Sequence, residues 1–324
     1  MKINKEITEK YIIDKLLRKL NLNKSETFNF KNDAAYLNNS KNNHFIITND
    51  TIVESVDFFK NDPPESLANK IVTYNLSDIS SMGAFPYAYT LSLSLPKHTS
   101  NKWLSKFTKK LFLLQKKYNF FLIGGDLSQS NTIVISSNFF GFVRKGKILK
   151  RTGAKINDDI WVTGNIGSSS IGLKIKKGKI KINNNDYKYF LNKYLFPVHC
   201  PIGNKINNYA TSAIDISDGF YGDLENLISK KNIGANIISN LIPFSNKTKK
   251  LIINKKVNLN YLLSSGDDYE LIFTVHPKKS VLINQIARKN NIKISKVGKI
   301  IQKKGIYLDN NKIEIINKSF KHFF

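Results

Sequence analysis

The chain has 324 residues, enough for two domains of ordinary size, and no run of eighteen apolar residues, which excludes a membrane-spanning helix. A single cysteine, Cys200, excludes an internal disulfide, and with an N-terminus that lacks an apolar leader it sets the expectation of a cytoplasmic protein. The formal charge of +27 comes almost wholly from lysines spread along the chain, with arginine only at Arg18, Arg144, Arg151 and Arg288; a nucleic-acid surface would cluster its charge and favour arginine, so no nucleic-acid partner is expected, and a basic nucleic-acid-binding protein stands as the rival from another class.

Ile7, Tyr11, Ile12, Leu16 and Leu20 form a helical stripe, followed by an Asn-rich loop. Asp33–Leu37 predicts a short strand and Phe45–Asp50 a stronger one that ends on a carboxylate, while the segment 51–59, with Glu54 and Asp57, has no clear pattern. Pro63-Pro64 opens a helix whose apolar residues run from Leu67 to Ile79. Asp78 sits toward the end of that helix, where the dipole disfavours an anion, so a cationic partner is expected for it.

Tyr87–Leu95 alternates as a half-buried strand whose Leu face suits a core or a second subunit, and Trp103, Phe107, Leu111, Leu114 and Tyr118 make an amphipathic helix. Phe120–Ile123 predicts a buried strand stopped by Gly124-Gly125-Asp126. Two glycines before an acid suit close approach of backbone to a phosphate or metal, and equally a hairpin turn. A long strand follows over 132–143, then a turn at Lys145-Gly146-Lys147, where a domain boundary is placed: 1–147 and 148–324.

Asp158–Gly164 predicts a strand, Gly167–Gly172 a small-residue loop leading to a helix, and 176–195 a solvated helical excursion. His199 and Cys200, with no matching His or Cys cluster, are read as packing residues. The most informative stretch is Ala213-Ile-Asp-Ile-Ser-Asp-Gly219, in which a strand ends on Asp215 and Asp218 and enters a helix through Gly219. Two like charges at one turn are costly without a divalent cation; the plainer alternative is a helix capped by Ser217 or Asp218. Further strands are expected at 234–238, near 271–275 and at 292–300, a helix at 279–290, and a hairpin around Asn310-Asn311. The fold class read from this alternation is α/β with mixed sheets, arranged as two α/β domains facing an acidic cleft.

Taken together, Asp33-Ala-Ala35, Thr48-Asn-Asp-Thr51, Asn75-Leu-Ser-Asp78 with Ser81-Met-Gly-Ala84, Gly124-Gly-Asp126, Arg151-Thr-Gly-Ala154, Asp159–Gly164, Ala213–Gly219 and Gly266-Asp-Asp-Tyr-Glu-Leu271 resemble the thiamine-monophosphate kinases. These belong to the superfamily of aminoimidazole ribonucleotide synthetase, selenophosphate synthetase and the hydrogenase maturation ATPase. The resemblance implies ATP-dependent phosphorylation of thiamine monophosphate to thiamine diphosphate by in-line transfer, in a homodimer whose N-terminal strands close a barrel between subunits. It implies several magnesium ions on Asp33, Thr48, Asn49, Asp50, Asp78, Asp126, Asp215 and Asp218, ATP contacts from Gly125, Arg151 and Ser217, and substrate contacts from Asp57, Asp267 and Phe320. Asp215, Asp218 and Arg151 carry the catalytic expectation.

Loose phosphoryl-transfer transition states need positioning and charge neutralisation more than covalent chemistry, which suits many carboxylates and few histidines. Arg151 is the natural planar fork for a phosphate, its plainer reading being a surface ion pair. The chain departs from the family pattern with Asn32 beside Asp33, Asn49 before Asp50, Asp57 where a histidine is usual and Asp267 for a glutamate. The nearest enzyme rival is an aminoimidazole ribonucleotide synthetase-like ATP-dependent cyclase; the absence of an N-terminal reactive cysteine and of a cysteine tail separates the chain from the other two.

Overall fold

The computed structural model describes residues 25–38, 42–229 and 232–313. The N-terminal helical stripe and Phe320 lie outside them. Strands β1 (Ala35–Asn38), β2 (Asn43–Val53), β3 (Phe85–Leu95), β4 (Phe121–Gln129) and β5 (Val134–Arg144) form one sheet in the order β1-β2-β5-β3-β4, antiparallel except for the β3–β4 pair. Helices α1 (Pro64–Ser81) and α2 (Asn101–Tyr118) cover one face. There Leu67, Ile71 and Leu76 of α1 and Phe107, Leu111 and Leu114 of α2 pack on Ile46, Ile52, Ile135 and Phe139 of the strands. The helices begin as the sequence indicates, α1 with Pro63 at the cap position and α2 with the Ser100 hydroxyl accepting from Trp103 N.

Residues 145–158 lead to a second sheet of seven strands: β6 (Asp159–Thr163), β7 (Ala210–Asp215), β8 (Gly234–Ile237), β9 (Leu271–Val275), β10 (Ile294–Ile301), β11 (Gly305–Leu308) and β12 (Asn311–Lys312), in the order β12-β11-β8-β10-β6-β9-β7. Helices α3 (Ser168–Lys176), α4 (Asn184–Leu195), α5 (Phe220–Ile228) and α6 (Ser280–Lys289) accompany it. Both sheets are mixed, in keeping with the α/β reading.

Three expectations are corrected. Of the 120–123 run only Phe120 is buried: every residue of β4 is exposed in the single chain, and the strand continues through Gly124, Gly125 and Asp126 instead of stopping there. Gly125 is required because a Cβ on it would lie 1.8 Å from Leu91 O of the neighbouring strand. The small-residue stretch 167–172 is already helix from Ser168, and the excursion at 176–195 is only partly solvated, since Phe190 and Tyr194 of α4 are buried. Gly172 lets α4 come in, a Cβ there meeting Phe190 O at 2.1 Å.

α1 is clamped between the two halves and buried on nearly every side. Its polar residues reach across: Asn69 Nδ2 and Thr73 Oγ1 donate to Pro197 O at 2.6 and 3.1 Å, and Ser80 Oγ donates to Cys200 O at 2.6 Å. The His199 ring lies 4.5 Å from that of Tyr118 with the planes tilted at 59°, and His199 and Cys200 are both buried, in keeping with the packing reading. The tightest approach is at Gly203, where a Cβ would stand 1.7 Å from Ser80 O. Gly203→Ala is therefore expected to force the halves apart at α1 and to destabilise by about 1–3 kcal/mol, read as a lowered denaturation midpoint; an unchanged midpoint contradicts the clamp.

Candidate active site

β2 is the first source of acidic ligands. Its period of two puts Thr48 and Asp50 on the face that meets α1 and Asn49 on the other. Thr48 Oγ1 donates to Asp78 Oδ2, while Asn49 Nδ2 donates instead to Asn138 Oδ1 at 3.0 Å and Ser137 O at 3.2 Å on β5. Asn49 is thus not brought to the other acidic residues within one chain, and strand parity already carried that signal.

Asp78 comes from the last turns of α1, Asp215 from the end of β7, and Asp33 from the segment before β1. One oxygen of each of these three lies within 4.8 Å of the others. Asp33 in turn receives the Arg151 guanidinium, whose Nε donates to Oδ1 at 2.9 Å and whose NH2 group makes a second contact to the same oxygen. The Asp33 side chain is 1% exposed, so this is a buried ion pair and not the surface pair of the plainer reading. Arg151 N also donates to Asn32 Oδ1 at 3.0 Å, so Asn32 anchors the arginine backbone. The cationic partner expected for Asp78 is not among the groups acting on it, which are the carboxylates Asp50, Asp215 and Asp33 and the Thr48 hydroxyl.

The electrostatic consequence is plain in the proton affinities. Burial, then Asp57, pushes Asp50 up to about 7; burial, then Asp33, pushes Asp215 up to about 8 against the relief given by Arg151. Burial followed by Asp50, Asp215 and Asp33 holds Asp78 well above the ordinary carboxylate range. Asp50 Oδ2 is buried without a hydrogen-bond partner. An all-oxygen donor set, short of positive charge and with an orphaned carboxylate oxygen, fits a hard divalent cation such as magnesium.

The turn after β7 does not use either expected cap. The residue at the cap position of α5 is Gly219, with no side-chain bond, and its φ of 122° is open to glycine. Asp223, one turn into the helix, reaches back to accept from Asp218 N and Gly219 N, both at 3.1 Å, and so fixes the turn that presents Ser217 and Asp218. Sequence reading missed Asp223, which lies in the same motif.

Beside the cluster opens a cavity of about 500 Å³. Asp50, Asp78, Asp215, Ser217 and Asp218 line its acidic end, Asp57 and Asp267 the rest. Asp57 Oδ2 accepts from Val53 N at 2.8 Å, closing the turn after β2. Asp267 lies on a loop held by Asp267 N donating to Ser217 O and Tyr269 N to Ile216 O, with Asp268 Oδ2 accepting from Gly167 N at the start of α3. Asp267 and Tyr269 both take positive φ, 69° and 52°, a strain that persists only where surrounding structure imposes it.

Gly125 and Asp126 stand apart. Asp126 pairs with Ser92, which pairs with Ser136, which pairs with Thr51. Three strand spacings, about 14 Å, therefore separate Asp126 from the row of Asp50 within one chain.

The sequence of residues 31–143 matches the family model of the AIR synthase related protein N-terminal domain. The thiamine-monophosphate kinase of Buchnera aphidicola subsp. Schizaphis graminum is 39% identical over 298 residues, 90% of this chain and 91% of that protein. The thiamine-monophosphate kinase of Haemophilus influenzae is 35% identical over 279 residues, 84% and 83% of the two chains. A solved structure described as AaThiL complexed with AMPPCP and TMP matches with a TM-score of 0.84 at 25% identity, over 98% of this chain and 97% of that one. With relatives this similar over nearly its whole length, and with the acidic cluster on the elements described above, the chain belongs to the thiamine-monophosphate kinase family.

Proposed function

We propose that the protein transfers the γ-phosphoryl group of ATP to thiamine monophosphate, giving thiamine diphosphate and ADP. The observation that carries this reading is the convergence of Asp33, Asp78 and Asp215 beside a cavity of about 500 Å³ that Asp78 and Asp215 help to line. The acceptor oxygen belongs to a phosphate whose second ionisation lies at about 6, so at neutral pH it arrives already anionic and needs no general base. The difficulty is bringing two anions together. Bound magnesium supplies the charge neutralisation and the fixed oxygen geometry for this.

Asp33, Asp50, Asp78, Asp215 and Asp218 would hold the ions, with Thr48 orienting Asp78. Arg151, seated on Asp33, offers its fork to a phosphate oxygen, and Ser217 lines the cavity where it can donate to the triphosphate. Asp57 and Asp267 would face the acceptor's organic part, with Phe320 assigned there by the family resemblance alone. Residues 1–147 and 148–324 are taken as the two units that close on this site.

Gly125 and Asp126 acquire a role only in a homodimer. The open face and edge of the first sheet carry Phe85, Tyr87, Phe121 and Ile123, all roughly half exposed, and Leu127 at 78%. A hydrophobic edge strand of this kind invites a partner. Pairing two such sheets would cover it, set Gly125 and Asp126 of β4 at an intersubunit site, and free Asn49 on the outer face of β2 to act there. Ile123→Asp should convert a dimer to a monomer in sedimentation velocity; a chain that is monomeric before substitution removes this part of the reading.

Purified protein incubated with ATP, magnesium and thiamine monophosphate should form thiamine diphosphate, and replacing thiamine monophosphate with aminoimidazole precursors should give no turnover. Asp215→Asn and Asp78→Asn are each expected to lower kcat by at least about 100-fold. Because each replaces a carboxyl that the crowded, metal-free cluster keeps protonated with a neutral amide of similar shape, the melting temperature without magnesium should hold or rise. A loss of rate that tracks a loss of fold would instead assign these residues to structure.

The raised carboxyls fix the sign of the pH dependence. In the folded chain Asp50 and Asp215 keep their protons up to about 7 and 8, whereas the unfolded chain releases them near 3.8. Stability of the metal-free protein should therefore fall as pH rises through that window. Magnesium binds the ionised forms, so its stabilising shift in melting temperature should be larger at pH 8 than at pH 6. A shift equal at both values would remove Asp50 and Asp215 from the metal site.

A further inference from the structure

Tyr74 lies four residues before Asp78 and four after Lys70, so the three share one row along α1. Lys70 is 1% exposed; its Nζ donates to Asp57 O at 3.0 Å and lies 3.9 Å from the centre of the Tyr194 ring. Tyr194 OH donates to Asp62 Oδ2, which also belongs to the carboxylate paired with Lys176. Lys176 is partly exposed, and the buried Lys70 feels Asp267 first among the surrounding carboxylates, then Asp62 and Asp57, without an ion pair to Asp267. Tyr74 is half-buried, lines the cavity, and stacks on Tyr269 with ring centres 4.4 Å apart and planes at 20°. Tyr269 is buried behind it and donates through its hydroxyl to Asp267 Oδ1 at 2.8 Å. That bond lies within the strained loop that carries both residues. Among the described residues no lysine or arginine forms an ion pair with Asp267; Lys177, also lining the cavity, is exposed at its rim.

We propose that Tyr74, backed by Tyr269 and Asp267, is the specificity-determining surface for the positively charged ring of the acceptor. The inference rests on the reading of thiamine monophosphate as acceptor and adds the side chain that would recognise its charge. One helical turn, about 5.4 Å, separates Tyr74 from Asp78. A two-carbon arm, of the same order of length, separates the thiazolium ring of thiamine monophosphate from its phosphate. With the phosphate at the acidic cluster, the ring comes to the level of Tyr74. A tyrosine face attracts a cation through its quadrupole, more strongly where water is excluded, and the Asp267 carboxylate behind the stack strengthens the field. Locking Tyr269 to Asp267 and stacking it on Tyr74 fixes the outer ring before the acceptor arrives, which reduces the ordering cost of binding.

The test compares thiamine monophosphate with an isostere whose thiazolium is replaced by a neutral thiophene, assayed as competing acceptors or inhibitors. The unaltered protein is expected to favour the cationic ring, and Tyr74→Leu to raise the KM for thiamine monophosphate about five- to tenfold with the KM for ATP and kcat within about twofold. Tyr74→Leu should also lose the preference for the cation, while Tyr74→Phe and Tyr74→Trp keep it. A purely structural role for Tyr74 would change both acceptors alike and would leave the preference standing, and that result overturns the proposal. If Tyr74→Leu does not fold, equal affinity of the unaltered protein for cationic and neutral acceptors overturns it as well, and a retained preference that survives in Tyr74→Phe and Tyr74→Trp supports it. Failure of the unaltered protein to phosphorylate thiamine monophosphate at all is a different outcome, one that removes the acceptor itself.

Discussion

Carboxylates held together in a poorly hydrated interior are the constraint on which the rest of this structure turns. Asp33, Asp78 and Asp215 come from three separate segments, two of them in the first half of the chain and one in the second. Their mutual repulsion, with Asp50 close by, works against every contact that brings the halves together. The opposing force is spread over the surroundings of α1: apolar packing on the first sheet, and hydrogen bonds from Asn69, Thr73 and Ser80 to the carbonyls of Pro197 and Cys200 on the other side. Those bonds satisfy carbonyls that would otherwise be buried unpaired, so separating the elements without rehydrating them would leave that desolvation cost uncompensated. The fold thereby stores an electrostatic deficit at the acidic cluster.

α1 also links the two ends of the cavity. Lys70, Tyr74 and Asp78 recur at intervals of four, so one helix sets the distance between the acidic cluster and the wall of the cavity that holds Tyr74. A site carried on a helix is positioned more closely than one built from loops alone. The loop opposite, with Asp267 and Tyr269, compensates for its irregular backbone by tying Asp267 N and Tyr269 N to the Ser217 and Ile216 carbonyls and by capping α3 with Asp268. The consequence is that the 266–270 loop is tied by backbone hydrogen bonds to the turn after strand β7, the strand that ends on Asp215 of the acidic cluster.

Much of this was legible in the sequence where a local signal and a tertiary role coincide. Pro63-Pro64 starts α1, the Phe107, Leu111 and Leu114 stripe is buried, and Ala213–Gly219 runs from strand to helix. Phe121–Ile123 was illegible because an apolar run reads as buried whether the cover comes from its own chain or from another surface. The inner face of α4 was obscured by its lysines and asparagines, with Phe190 and Tyr194 too few to mark it. The ion pair between Arg151 and Asp33 spans more than a hundred residues and leaves no periodic trace. Asn49 and Tyr74 are different: the parity of a strand and the four-residue repeat of a helix place the first away from Asp78 and the second beside it, so both were available before any coordinates.

The lysine excess sharpens the meaning of the acidic cluster. With a formal charge of +27, any carboxylate that a lysine can reach has many candidates, and Asp62, Asp159 and Asp186 are each paired in this way. Among the described residues, Arg151 alone makes an ion pair with a member of the cluster, through Asp33. Lys70, buried about two turns away along the same row of the helix, ends on the Asp57 carbonyl instead. A long ammonium chain would have to give up its hydration and its rotamer freedom to fill a gap between three carboxylates, and would bring one charge where two or more are wanted. A small divalent ion loses little conformational entropy, accepts several oxygens at once and keeps waters that a phosphate can displace. The chain therefore surrounds its acids with basic residues yet leaves the convergent ones underneutralised, which is the shortage that the proposed magnesium would fill.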